Sequence, residues 1–171
     1  VSRGLGDVYK RQLQDSMPLT LWDPDHGKMD AVYDISRTIE KVLRPKVWLR
    51  GGGYLIIQPT EALIAIDVNT GKAISKKKDV EKTFLKVNME AVEEIARQLR
   101  LRNLSGMILI DFIDMKSKDD EKELLQVMQH YLNGDSKKAV AVDITKLGIM
   151  EITRKKEKNP IFRQISIDIL K

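Results

Sequence analysis

The chain has 171 residues, 42% of them hydrophobic and 32% charged, enough for one domain with a sizeable core and too apolar for global disorder. Ten Gly and five Pro exclude collagen-like and Pro/Gly-rich classes, and zero Cys excludes disulfides, Cys-ligated zinc, iron–sulfur clusters and thiol nucleophiles. The formal charge of +5 permits a polyanionic partner without demanding one, and no apolar run is long enough to span a membrane.

Residues 1–12, VSRGLGDVYKRQ, have neither helical nor strand period and no apolar signal core, and read as a non-native leader resembling translated adapter sequence. Asp30–Leu43 is expected as a helix, with Val32, Ile35, Ile39, Val42 and Leu43 on one stripe, stopped ahead of Pro45. Three short strands follow, Lys46–Arg50, Tyr54–Gln58 and Leu63–Val68. A Gly51–Gly53 turn and a Pro59-Thr60 turn join them into an antiparallel meander. A lysine-rich loop leads to Asp79, a natural N-cap, and to a long helix reaching Arg102 with Val80, Phe84, Val87, Ala91, Ile95 and Leu99 on one face. Met107–Ile113 is almost continuously apolar, as in a strand covered on both faces. A helix over Asp119–Leu132 ends at Gly134, and two strands, Ala139–Ile144 and Ile149–Arg154, flank a turn at Leu147-Gly148. The order predicts an α/β fold: a mixed sheet of about six strands flanked by helices.

Two apolar strands carry an acid near their C-terminal ends: Asp67 within AIDVN and Asp111 within LIDFID. A carboxylate in such a setting is costly unless paired, and neither strand offers a neighbouring Lys or Arg. Two readings stand. The acids cap loops and helix ends, or they share one divalent cation. Magnesium suits the second, because it takes few carboxylates and keeps waters and phosphate oxygens, as in metal-dependent phosphodiesterases. Period-2 alternation puts Asp67 with Leu63 and Ala65, and Asp111 with Met107 and Leu109, while Asp114 falls out of phase. Asn69 is a turn residue able to orient Asp67 or a phosphate.

His26 lies in a turn and His130 on an amphipathic helix, without the partners of a Ser-His-Asp system. Gly51–Gly53 lacks a following Lys-Ser/Thr, so it reads as a hairpin turn and not a phosphate loop. The basic clusters are solvated faces or tracks for a phosphate backbone; the candidates for such contact are Lys76, Lys77, Lys138, Arg154 and Lys155. Aromatics at 5% argue against a broad base-stacking platform.

Three stretches make a more specific pattern. They are VWLRGGGYLIIQPTEA running into IDVNTG; NMEA with EIARQLRLRNL running into IDFIDM; and LGIMEITRKK. Together, over Leu19–Lys158, they resemble the ribonuclease E/G family. The resemblance implies that residues 44–159 form a deoxyribonuclease-I-like catalytic subdomain, that 13–43 end an RNase-H-like subdomain, and that 160–171 lead towards a zinc link. It implies one Mg²⁺ held by Asp67 and Asp111, with Asn69 orienting the scissile phosphate. It further implies hydrolysis of single-stranded RNA (rRNA and tRNA precursors, mRNA) to 5′-phosphate ends by a cytoplasmic endoribonuclease. The family's RNA-binding OB-fold and 5′-monophosphate sensor are expected upstream of Leu13. Its zinc-binding cysteines, which join protomers, are expected downstream, so homo-oligomerisation is expected of a full-length parent and not of this fragment. The alternative is an RNA-binding fragment without activity of its own.

Overall fold

The computed structural model describes residues 22–72 and 80–164. The chain divides into two compact units, one ending at Ile39 and one beginning at Glu40.

The single helix expected over Asp30–Leu43 is two: α1 (Met29–Tyr33) and α2 (Ile35–Leu43). Asp34 between them takes a left-handed conformation (φ 51°), which Asp tolerates better than most residues because its short side chain bonds locally. Asp30 Oδ1 accepts both the Ser36 N–H (2.7 Å) and the Ser36 hydroxyl (2.8 Å), so this carboxylate ties the start of α2 back to α1. The stripe was legible, but this local competition for backbone donors was not.

In the second unit the elements are β1 (Lys46–Trp48), β2 (Tyr54–Pro59), β3 (Ile64–Asn69), α3 (Val80–Leu101), β4 (Gly106–Asp111), α4 (Lys118–Leu132), β5 (Ala139–Ile144), β6 (Ile149–Arg154) and α5 (Ile161–Gln164). One six-stranded mixed sheet runs in the order β1-β2-β3-β4-β6-β5, with β3 and β4 parallel and every other pair antiparallel. The expected fold class and meander are therefore observed. Ser117 caps α4, accepting the Asp120 N–H.

The core lies between the sheet and α3 with α4. Leu55, Ile66, Ile110 and Met150 project from four strands onto Ile95 and Leu99 of α3 and Met128 of α4, all with no more than 2% of their surface exposed. The alternate residues face the other way. Met107 is 48% exposed and Val142 52%, so among the described residues the second face of the sheet lies open. The expectation that the β4 run is covered on both faces is corrected. Met107 and Leu109 are apolar, but they share the phase of Asp111 and not that of the core.

At one end of the sheet, polar groups are buried and paired. The side chains of Arg154 and Asp135 are 2% and 1% exposed, joined Nε to Oδ2 at 2.7 Å, and Arg154 also donates to the Leu104 carbonyl (2.8 Å) and to Asn103 (3.2 Å). Burial pushes the Asp135 carboxyl up, but the Arg154 hydrogen bond, the Lys137 N–H and the guanidinium charge together hold it below the ordinary range. Arg102 is likewise buried, donating to Gln98 (2.6 Å) and to the Arg44 carbonyl (2.9 Å). Asn103 closes α3 in a left-handed conformation (φ 51°), its Oδ1 accepting Lys137 Nζ at 2.6 Å.

Replacing Arg154 with Met strands a buried carboxylate and should lower stability by about 3–5 kcal/mol, read by urea unfolding at neutral pH. Because the folded-state pKa of Asp135 is lowered, the wild-type pair's contribution is fully present above the ordinary carboxylate range. It is lost as pH falls through the folded value, so the gap between wild type and Arg154→Met should narrow in acid.

Candidate active site

Sheet register sets the site. Asp67 and Asp111 are Cα partners in the parallel β3·β4 pair, about 4.8 Å apart by strand spacing, and both point to the open face. In parallel strands partnered residues share a face, so the two carboxylates stand side by side at the C-terminal ends of their strands. Like charges so placed are mutually destabilising. Among the described residues neither is in an ion pair, and the one hydrogen bond to this couple comes from Asn69 Nδ2 to Asp67 Oδ2 at 2.7 Å. Asp114 lies past the strand end and lines the same shallow depression, with Thr70 and Phe84.

The donor set fits a hard cation with few protein ligands. Two carboxylates can hold magnesium, whose remaining positions go to water and phosphate oxygen. Among the described residues there is no cluster of three or more His, Cys, Asp or Glu, which does not suit a closed zinc or calcium cage.

Neighbouring elements hold these groups in place. Asn88, fully buried on α3, donates Nδ2 to the Ile113 carbonyl (2.8 Å) and accepts the Ile113 N–H on Oδ1 (3.1 Å), pinning the chain two residues beyond Asp111. The Gly51–Gly53 turn backs onto the end of β3. A Cβ at Gly53 would stand 2.8 Å from the Asn69 carbonyl oxygen, and one at Gly71 (φ 53°) would collide with the Gly52 carbonyl. Glu90 on α3 accepts the Gly51 N–H through both carboxylate oxygens, at 2.9 and 3.0 Å, locking the turn to the helix. The triple-glycine run is the expected turn, and it is also packed against a candidate site residue. The sequence signal for Asn88 was a polar residue within an otherwise buried helix stripe.

The candidate RNA-contact residues do not gather here. Lys76 and Lys77, with Asp79, lie outside the described residues. Lys138, Arg154 and Lys155 sit at the opposite end of the sheet, since Arg154 pairs with Gly106, five residues and roughly 17 Å along β4 from Asp111. Arg154 is corrected outright: its guanidinium is inside the protein, on Asp135, and offers no cation to a phosphate. Its phase gave the clue, because it follows buried Met150 and Ile152 at strand period. Lys138 is exposed, and Lys155 is exposed but paired with Glu157 at 3.1 Å.

The model of the ribonuclease E/G family matches residues 7–157. The chain belongs to the ribonuclease E/G family. It is 43% identical over 138 residues to a ribonuclease E of Nostoc sp., covering 81% of this chain and 20% of that protein. It is 40% identical over 136 residues to a ribonuclease G of Salmonella typhimurium, covering 80% of this chain and 28% of that protein. With a ribonuclease G of Haemophilus influenzae it shares 37% identity over 155 residues, 91% of this chain and 31% of that protein. The chain thus spans between a fifth and a third of the length of these curated relatives.

Replacing Asn88 with Ala leaves the Ile113 amide and carbonyl without their partner. Unfolding should report a loss of about 1–3 kcal/mol, more than surface substitutions on the same helix give.

Proposed function

We propose that this chain is the catalytic part of a magnesium-dependent endoribonuclease that hydrolyses phosphodiester bonds in single-stranded RNA, leaving 5′-phosphate ends. The observation that carries the reading is the register pairing of Asp67 with Asp111 on an open face, two carboxylates with no cationic partner among the described residues. Membership of a family whose named relatives are ribonucleases E and G supports it. Precursor rRNA and tRNA and mRNA are the proposed substrates, and the cytoplasm the proposed compartment. No helix among the described residues is long and apolar enough to cross a membrane.

Asp67 and Asp111 are the residues that would hold the ion. When bound, magnesium supplies charge neutralisation at phosphorus and an acidified water for attack. Asn69 fixes the orientation of Asp67 with one amide N–H and retains a second N–H for a phosphate oxygen. The turn at Gly53 and the Asn88 clamp on Ile113 hold the backbone at the ends of the two strands, which limits how far the carboxylates would move when a phosphate arrives.

In the intact parent, Asp67→Asn and Asp111→Asn should each lower magnesium-dependent RNA cleavage by orders of magnitude while leaving thermal unfolding close to wild type. Cleavage at the parental rate by either variant overturns the assignment. Because the chain is a minor part of its relatives, RNA binding without cleavage by the chain alone, with an active parent, would favour the binding-only reading for the fragment.

A further inference from the structure

The open face carries a second feature beside the acid pair. Trp48 of β1 is 61% exposed, unusual for so large an apolar side chain, and it meets the Tyr54 ring of β2 edge-on at 5.3 Å between centroids. Lys46 Nζ caps both rings, 4.1 Å from the Trp48 centroid and 3.7 Å from that of Tyr54. Sheet register ties this trio to the candidate site. Trp48 partners Tyr54, and Tyr54 partners Asn69, so the three form one row across β1, β2 and β3. The next row on the same face is Lys46, Ile56, Asp67 and Asp111. Trp48 is thus two strand spacings, about 10 Å, from Asn69, with Tyr54 between them.

We infer that Trp48 and Tyr54, with Lys46, form a stacking subsite for one base of single-stranded RNA, next to the scissile phosphate. The inference rests on the proposed function and extends it. A strand with a phosphate at Asp67 and Asp111 that crosses the sheet towards β1 passes over Tyr54 and reaches the exposed indole. There a base finds a π-face and its phosphate finds the Lys46 ammonium. Base–aromatic stacking is tolerant of sequence, and the Lys46 cation held over the rings adds attraction for the backbone. The low aromatic content excludes a broad platform, but it leaves room for this single step.

The test uses the full chain in a Trp22→Phe background, which makes Trp48 the only indole. Without magnesium, so that nothing is cut, it is titrated with a short oligoadenylate and with an abasic ribose-phosphate oligomer of equal length. The oligoadenylate should quench Trp48 emission and the abasic oligomer should not. By fluorescence anisotropy of labelled oligomers, Trp48→Ala should weaken oligoadenylate binding about tenfold, Trp48→Phe should recover most of it, and affinity for the abasic oligomer should stay unchanged. Quenching that does not depend on bases, or equal oligoadenylate affinity in wild type and Trp48→Ala, overturns the subsite. Loss of cleavage in Asp67→Asn together with no base-dependent quenching overturns the subsite and leaves the metal reading standing. Base-dependent quenching together with parental cleavage in Asp67→Asn supports the subsite and removes the metal reading.

Discussion

Side-by-side placement of two carboxylates, Asp67 and Asp111, is an electrostatic burden that the fold accepts where the parallel strands β3 and β4 end together. Across the antiparallel pairs on either side, each of these two acids faces an apolar residue, Ile56 opposite Asp67 and Ile149 opposite Asp111, while farther out Asp143 stands opposite Glu151 in the β5·β6 pair. Placing α3 between β3 and β4 in the chain makes them run in the same direction. Their C-terminal ends therefore coincide, where α/β sheets gather ligands. Without a cation, the repulsion between the pair is unrelieved by any charged neighbour among the described residues. Under the proposed function the same geometry would be a two-carboxylate cradle for one ion.

The two ends of the sheet do different work. The end around Arg154 is sealed, its charges buried and matched: guanidinium on carboxylate, and the Asn103 amide on the Lys158 and Asn159 carbonyls. Removing one member there exposes the folded state to an unpaired buried group. At the Asp67 end the two acids are exposed and, among the described residues, without a cationic partner, and the backbone around them is held by hydrogen bonds and close packing: the Asn88 clamp, the Glu90-held turn and the tight glycine approach to Asn69.

Much of this was legible in the amino-acid sequence, because strand and helix periods are local. The final two strands fall on Ala139–Ile144 and Ile149–Arg154 as expected, and the phase of Asp67 and Asp111 against the core follows from alternation alone. What alternation lacks is register. Nothing local says that Asp67 stands beside Asp111 and not one residue off, or that Ile113 will meet Asn88. The same lack of tertiary information misassigned Arg154, whose partner lies nineteen residues away, and covered β4 on a face that is open. The break at Asp34 was missed for another reason: helix stripe and side-chain capping compete within a few residues, and the stripe alone does not reveal which prevails.

The proposed site requires these two aspartates to hold one divalent ion together. Titration of the full chain with Mn²⁺, an oxygen-liking paramagnetic substitute for magnesium, followed by electron paramagnetic resonance of the free ion, tests it without reference to RNA. One bound ion per chain is expected in the wild type, lost in both Asp67→Asn and Asp111→Asn. Ion binding undiminished in both variants, or absent from the wild type at millimolar manganese, would contradict it.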